Sequence, residues 1–133
     1  MSRRLIKVSR GGSVYEAVKL MVQNNISGVV VEDGGKAVGV LTMRDVVGRV
    51  VAEGRDVYGT SAGEVMSSPA LTVNQLLTVE KAAAIMGERK VKRLVVVDEL
   101  NRARGVVTAM DVVSNLPCLL DVMFKTWVKP DWR

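Results

Sequence analysis

Gly39-Val40-Leu41-Thr42-Met43-Arg44-Asp45 recurs in the same chain as Gly105-Val106-Val107-Thr108-Ala109-Met110-Asp111. Each copy reads as a strand ending in a hydroxyl residue and passing into a helix, with a carboxylate one turn in. Just beyond, Val46-Val47 matches Val112-Val113 at the same spacing of 66 residues. Upstream the spacing is 65: Val8 falls on Val73, Val14 on Val79, Ala17 on Ala82, Met21 on Met86, Val30-Val31 on Val95-Val96 and Asp33 on Asp98. One residue is therefore inserted near Glu99 to Asn101. So many ordered matches with a single shift define two copies of one supersecondary unit, at residues 1–53 and 64–116. A Gly-containing polar stretch, residues 54–63, joins them.

Both copies carry the same local signals. Ser13-Val14-Tyr15-Glu16 has the pattern of a capping box, in which a hydroxyl and a carboxylate satisfy the free amides of a helix start. Val14, Ala17, Val18, Met21 and Val22 then predict an apolar helical stripe. The second copy has Val79, Ala82, Ala83 and Met86, with Thr78 as cap. β-Branched strands follow at Val29 to Glu32 and Leu94 to Val97, and Asp33-Gly34-Gly35 is a turn signal. Second strands are expected at Ala37 to Leu41 and Ala103 to Val107, with helices starting at Thr42 and Thr108. Short strands, Ile6 to Val8 and Leu71 to Val73, precede the first helices. The order is β-α-β-β-α, twice.

The chain has 133 residues, with 19 Lys plus Arg against 14 Asp plus Glu, a net charge of +5. Hydrophobic residues make up 48%, and valine occurs 27 times. A unit of about 50–60 residues is marginal alone, because it buries so little surface. Two copies pressed together through their sheets would cover both faces of the valine-rich strands, which explains the near-continuous apolar runs. The fold class expected is α/β (α+β): two repeats packed through their sheets with pseudo-two-fold symmetry. A helical tail at residues 117–133 completes it, carrying Leu119, Leu120, Val122, Met123, Phe124, Trp127 and Val128 on one stripe.

Several chemistries are excluded. The chain lacks histidine, so there is no Ser-His or Cys-His dyad and no imidazole metal ligand. The single cysteine, Cys118, supports neither an internal disulfide nor a Cys-based zinc site. No apolar run reaches the ~18 residues of a membrane span, and Met1-Ser2-Arg3-Arg4 leads into no signal-peptide core. The expected setting is cytoplasmic, away from the membrane. With no nucleophile–base pair and no metal constellation, the expectation is a binding protein rather than an enzyme.

The Thr-x-x-Asp segments have two readings. A helix start offers unpaired amides and partial positive charge, hence an anion site; the hydroxyl can bond a phosphate or sugar, and the carboxylate can accept from the two hydroxyls of a ribose diol. The same pattern is also a capping box that needs no ligand. Its recurrence at equivalent positions favours the first reading without deciding it.

Together these features resemble a tandem pair of cystathionine-β-synthase (CBS) domains, a Bateman module. The resemblance rests on Val65-Met66 before Leu71-Thr72-Val73, on Val91-Lys92-Arg93-Leu94-Val95-Val96-Val97-Asp98, and on the two Gly-h-h-Thr-x-x-Asp segments, where h is apolar. It implies a regulatory module that binds an adenosine-containing ligand (AMP, ADP or ATP, with S-adenosylmethionine or NAD as further members of the class) in clefts between the repeats. By the family pattern Asp45 and Asp111 would hold ribose hydroxyls, and Thr42 and Thr108 ribose or phosphate. Ile26, Ser27, Gly28 and Val29 would flank adenine in one site, and Val91, Lys92, Arg93 and Leu94 in the other. Lys7 and Thr72 would line the same clefts. The family also implies a homodimer and a regulated protein partner.

The two sites differ in charge. Lys92-Arg93 stands beside Arg89 and Lys90, whereas the matching residues of the first copy are Ser27-Gly28. Arg44 beside Asp45 is a further phosphate candidate, and its counterpart Met110 is apolar. This points to a phosphorylated ligand with its phosphates near Lys92, Arg93 and Arg44; the alternative is a solvated basic face. Lys7 stands where the family has a small residue, and would either fill the cleft or pair with a phosphate. The competing function is a basic interaction or nucleic-acid-binding protein, which the charge permits but no stacking platform or motif supports.

Overall fold

In the computed structural model, which describes residues 5–110, each copy forms a three-stranded sheet. In the first, β1 (Lys7–Ser9) runs parallel to β2 (Gly28–Asp33), and β2 is antiparallel to β3 (Lys36–Thr42). In the second, β4 (Thr72–Asn74), β5 (Arg93–Val97) and β6 (Ala103–Thr108) repeat that order. Helices α1 (Val14–Asn24) and α4 (Val79–Arg89) connect the parallel pairs. The expected mixed α and β architecture is present, copy for copy. The expected tail, with Cys118, Phe124, Trp127 and Trp132, and the continuation from Asp111 lie outside the described residues.

The repeat holds at the level of single hydrogen bonds. Lys7 pairs with Val30 and Thr72 with Val95. Both hairpins change register at the same place, between Val31 and Glu32 and between Val96 and Val97. Both crossover helices end on a left-handed residue, Asn25 at φ 53° and Lys90 at φ 57°. The short strands begin one residue later than the periodicity predicts. Ile6 and Leu71 contribute only carbonyls, to Val30 N at 3.1 Å and Val95 N at 3.0 Å.

Helix α1 starts where Ser13 Oγ accepts from Glu16 N at 3.1 Å. Val14, Ala17 and Met21 are buried beneath it, but Val22 is exposed. Eight residues at about 100° each carry Val22 roughly 80° off the line of Val14. The free amides of Val14 and Tyr15 are taken by Thr60 O at 2.9 Å and Val57 O at 3.0 Å. The joining stretch therefore lies against the helix start and closes its first turn. The rings of Tyr15 and Tyr58 meet there, with centroids 4.6 Å apart.

After β3 the chain enters α2 (Met43–Val46) and widens into a π-helical turn, Val47–Val51. The N–H of Ala52 reaches back five residues to Val47 O at 2.9 Å. Asp45, Val46 and Val50 face inward, while Met43, Val47 and Val51 are exposed. A short α3 (Ala62–Val65) follows the joining stretch. Ala62 and Val65 pack into the first repeat's core with Val8, Val14, Met21, Val29, Val31 and Leu41. The helix that precedes the second sheet in sequence thus completes the first in space.

Two further cores follow. Ala82, Met86 and Leu94 form the second repeat's own. Val30, Ala37, Val95, Val97 and Ala103 join the two sheets face to face. Val30 and Val95 are equivalent residues, so this core lies about the pseudo-two-fold axis. The sheets are buried on both sides, as the valine-rich strands require.

Candidate functional site

Three segments converge on a cleft of about 500 Å³ where the repeats meet. The end of β3 and start of α2 bring Thr42, Met43 and Arg44. The approach to β4 brings Ser67, Pro69, Ala70 and Leu71. The turn from α4 into β5 brings Lys90, Val91, Lys92 and Arg93, and Ser27 lines the same cleft. The helix starts are pinned to these turns by equivalent bonds: Met43 N donates to Ser27 O and Ala109 N to Lys92 O, each at 2.9 Å.

The Thr42–Asp45 segment forms the complete capping box that its spacing predicts. Asp45 Oδ2 accepts from Thr42 N at 3.0 Å, and Thr42 Oγ1 accepts from Asp45 N at 3.1 Å. Asp45 is 8% exposed. Ser67 Oγ donates to the carboxylate, 3.1 Å from Oδ1 and 3.3 Å from Oδ2. Arg49 Nη1 lies 3.7 Å from Oδ1. The same nitrogen donates to Val65 O at 2.8 Å and Met66 O at 2.9 Å, tying the C-terminal end of α3 to this network.

Arg93 belongs to the second repeat but reaches into the first. Its Nη2 donates to Ser27 Oγ at 2.9 Å. Its Nη1 occupies the space that a Cβ on Gly28 would need. Gly28 and Arg93 are equivalent positions, so at the pseudo-two-fold a long cation meets a residue without a side chain. Burial pushes the Arg93 guanidinium down from its ordinary pKa, and the negative charge of Asp45 opposes that. A guanidinium stays protonated in proteins, so burial here is an energetic cost rather than a loss of charge.

The sequence grouped candidates by repeat, and the structure distributes them differently. Ser27, Thr42 and Arg44 share one cleft with Val91, Lys92 and Arg93, because pseudo-two-fold packing crosses the turns of the two copies. Gly28 forms the seat of Arg93. Val29 and Leu94 are buried in the repeat cores, and could offer only backbone. Ile26 packs on the first core. Lys7 is paired with Glu32 at 3.0 Å. Thr72 is in β4, paired with Val95, and Thr108 ends β6 opposite Arg93. Met110 is exposed; Asp111 lies outside the described residues. Sequence reasoning missed Ser67, whose contact with Asp45 spans 22 residues. Its only signal is position, directly after the Val65-Met66 pair. Among the described residues no group of three acidic, Cys or His side chains could hold a metal, and no helix is long and apolar enough to cross a membrane.

Comparison with known proteins places this architecture. The CBS domain model matches residues 1–52 and 62–117, and the chain belongs to the CBS-domain family. The CBS domain-containing protein YhcV of Bacillus subtilis is 34% identical over 115 residues, 86% of this chain and 81% of that protein. Inosine-5′-monophosphate dehydrogenase of Korarchaeum cryptofilum is 38% identical over 110 residues, 83% of this chain but 22% of that enzyme. Among solved structures, a protein with CBS domains from Burkholderia ambifaria matches at a TM-score of 0.78 and 28% identity, over 87% of this chain and 85% of that one. The CBS domain pair of protein MJ0100, in complex with 5′-methylthioadenosine and S-adenosyl-L-methionine, matches at 0.75 and 28%, over 86% and 92%. A CBS domain protein from Pyrobaculum aerophilum complexed with AMP shares the fold at 0.80 and 23%, over 92% and 93%.

Proposed function

We propose that the chain is a regulatory ligand-binding module that takes a phosphorylated adenosine compound, AMP, ADP or ATP, into the cleft between its repeats. One observation carries the choice of ligand: Arg44, Lys90, Lys92 and Arg93 converge on a cleft that, among the described residues, has no carboxylate on its wall. Such a site disfavours the sulfonium of S-adenosylmethionine and favours phosphate oxygens. The MJ0100 pair, bound to two adenosyl compounds, supports the adenosine part of the reading. Thr42 and Asp45 stand at the helix start for the ribose, and Val91 and Leu71 offer apolar walls for the base. Asp45 lies beneath that wall, bonded to Thr42 and Ser67. Binding would then change how the two repeats sit on each other, and a partner protein would read the change.

Isothermal titration calorimetry with AMP, ATP and 5′-methylthioadenosine tests this. AMP and ATP are expected to bind. The double variant Lys92→Ala, Arg93→Ala should lose about 3 kcal/mol or more of AMP binding, since charge-assisted hydrogen bonds contribute about 1.5–3 kcal/mol each. Its affinity for the phosphate-free compound should hardly change. Equal losses for both ligands would remove the phosphate assignment, and no binding of any adenosine compound would remove the reading altogether.

A further inference from the structure

We infer that Ser67 is a rotamer gate over Asp45: in the free protein its hydroxyl holds the place on the carboxylate that a ligand diol takes on binding. The inference rests on the adenosine reading of the cleft and adds the residue that sets its affinity. Ser67 is exposed and lines the cleft, whereas Asp45 lies beneath it and is nearly buried. A ligand entering the cleft therefore meets the serine before the aspartate. The carboxylate is already engaged on both oxygens, Oδ2 by Thr42 N and both by the bridging Ser67 Oγ. An ionised carboxylate has about four acceptor positions. The bridging hydroxyl, set between the two oxygens, takes up an acceptor position on both. A cis-diol offers two O–H donors to the same two oxygens, so it satisfies Asp45 more fully than the single serine donor.

The exchange needs little movement. Ser67 N donates to Val40 O at 2.9 Å, and Val40 N donates to Ser67 O at 3.0 Å. Arg49 holds the two preceding carbonyls. The backbone around Ser67 is thus fixed on both sides, and the hydroxyl can leave by rotation about χ1 alone. Thr42 N and Arg49 stay on the carboxylate throughout, so Asp45 is never left as an unpartnered buried charge, which would be costly. The gate acts as a competitor: the ligand binds only as well as its diol outbids the serine.

The test is a cycle of AMP and 2′,3′-dideoxy-AMP on the wild-type chain and Ser67→Ala, by titration calorimetry. Removing the competitor should tighten AMP binding several-fold, up to about tenfold, and leave the dideoxy compound unchanged. Ser67→Cys, which keeps the size with a weaker donor, should move AMP affinity in the same direction by less. It also covers the case in which the alanine variant folds poorly. Weaker or unchanged AMP binding in the variants overturns the gate while leaving the adenosine reading intact. An equal gain for the dideoxy compound overturns it too, because the effect would not run through the diol. Absence of AMP binding to every variant and to the wild type overturns the adenosine reading and the gate with it.

Discussion

Gly28 and Gly39 are both strand glycines crowded by a neighbour, and they differ in what the neighbour can do. A Cβ on Gly28 would meet the end of the Arg93 side chain, which can swing away. A Cβ on Gly39 would meet Met66 Sδ and, at 2.9 Å, the backbone oxygen of Ser67. That oxygen is fixed by Val40 N at 3.0 Å, so relief requires the chain before β4 to move. Overpacking that cannot relax costs about 1–3 kcal/mol. Gly39→Ala should therefore destabilise by about 2–3 kcal/mol in urea melts, and Gly28→Ala by about 1 kcal/mol, the contribution of one lost Arg93–Ser27 bond. Equal losses would mean that Arg93 is as immovable as backbone. At this scale the capping box of Thr42 and Asp45 was legible, because its partners are three residues apart. The seat of Arg93 on Gly28 and the hydroxyl of Ser67 on Asp45 were not, because both are contacts between distant segments that leave no periodic trace.

Among the elements, α3 has the clearest dependence on pH. Ser61 N donates to Glu64 Oε2 at 2.7 Å, and Arg55 Nη2 lies 2.8 Å from the other oxygen. The backbone bond from Ser61 first, and then Ser61's side chain and Arg55, hold the Glu64 carboxyl below the usual carboxylate range. A depressed pKa in the folded state means that the stabilisation is fully present above the unfolded value, about 4.3 for Glu. It is lost as pH falls through the lower, folded value. Glu64→Gln should thus be less stable than wild type near pH 7, with the difference closing below about pH 4. Urea melts at neutral and acid pH would read it, and a difference that persists undiminished in acid would exclude the charge of Glu64 as its source. The strands and crossover helices of both repeats were readable from β-branched runs and 3.6-residue stripes. The π-helical turn was not, since its five-residue bonds use the same inward residues as an α-helix would. Nor was the placement of α3. Ser61 falls in the stretch that the sequence reads as a joiner, and nothing local says which sheet a four-residue helix will cover.

For the whole molecule, the question is whether two repeats make two folding units or one. The repeat in sequence suggests two, and the packing argues for one. Ala62 and Val65, which precede the second sheet, fill the first repeat's core. Val30 and Val95 meet in a core that belongs to neither repeat alone, and Ala37 N donates across to Asn101 O at 3.3 Å. A half of about 50–60 residues is marginal without these contacts. The chain should therefore melt in one transition. Met21→Ala, deep in the first repeat, should cost about 2–5 kcal/mol, and Val30→Ala, between the sheets, about 2 kcal/mol. Each should lower that single midpoint rather than split it. With Trp127 and Trp132 replaced by Phe throughout, near-ultraviolet dichroism is carried by the Tyr15–Tyr58 pair and reports the first repeat, while far-ultraviolet dichroism reports both. Coincident curves from the two signals in that parent chain and both variants are the expected result. Separate midpoints in Met21→Ala would show that the second repeat survives the loss of the first. The cleft at their junction would then sit between independent units, instead of in one body whose shape a ligand can set.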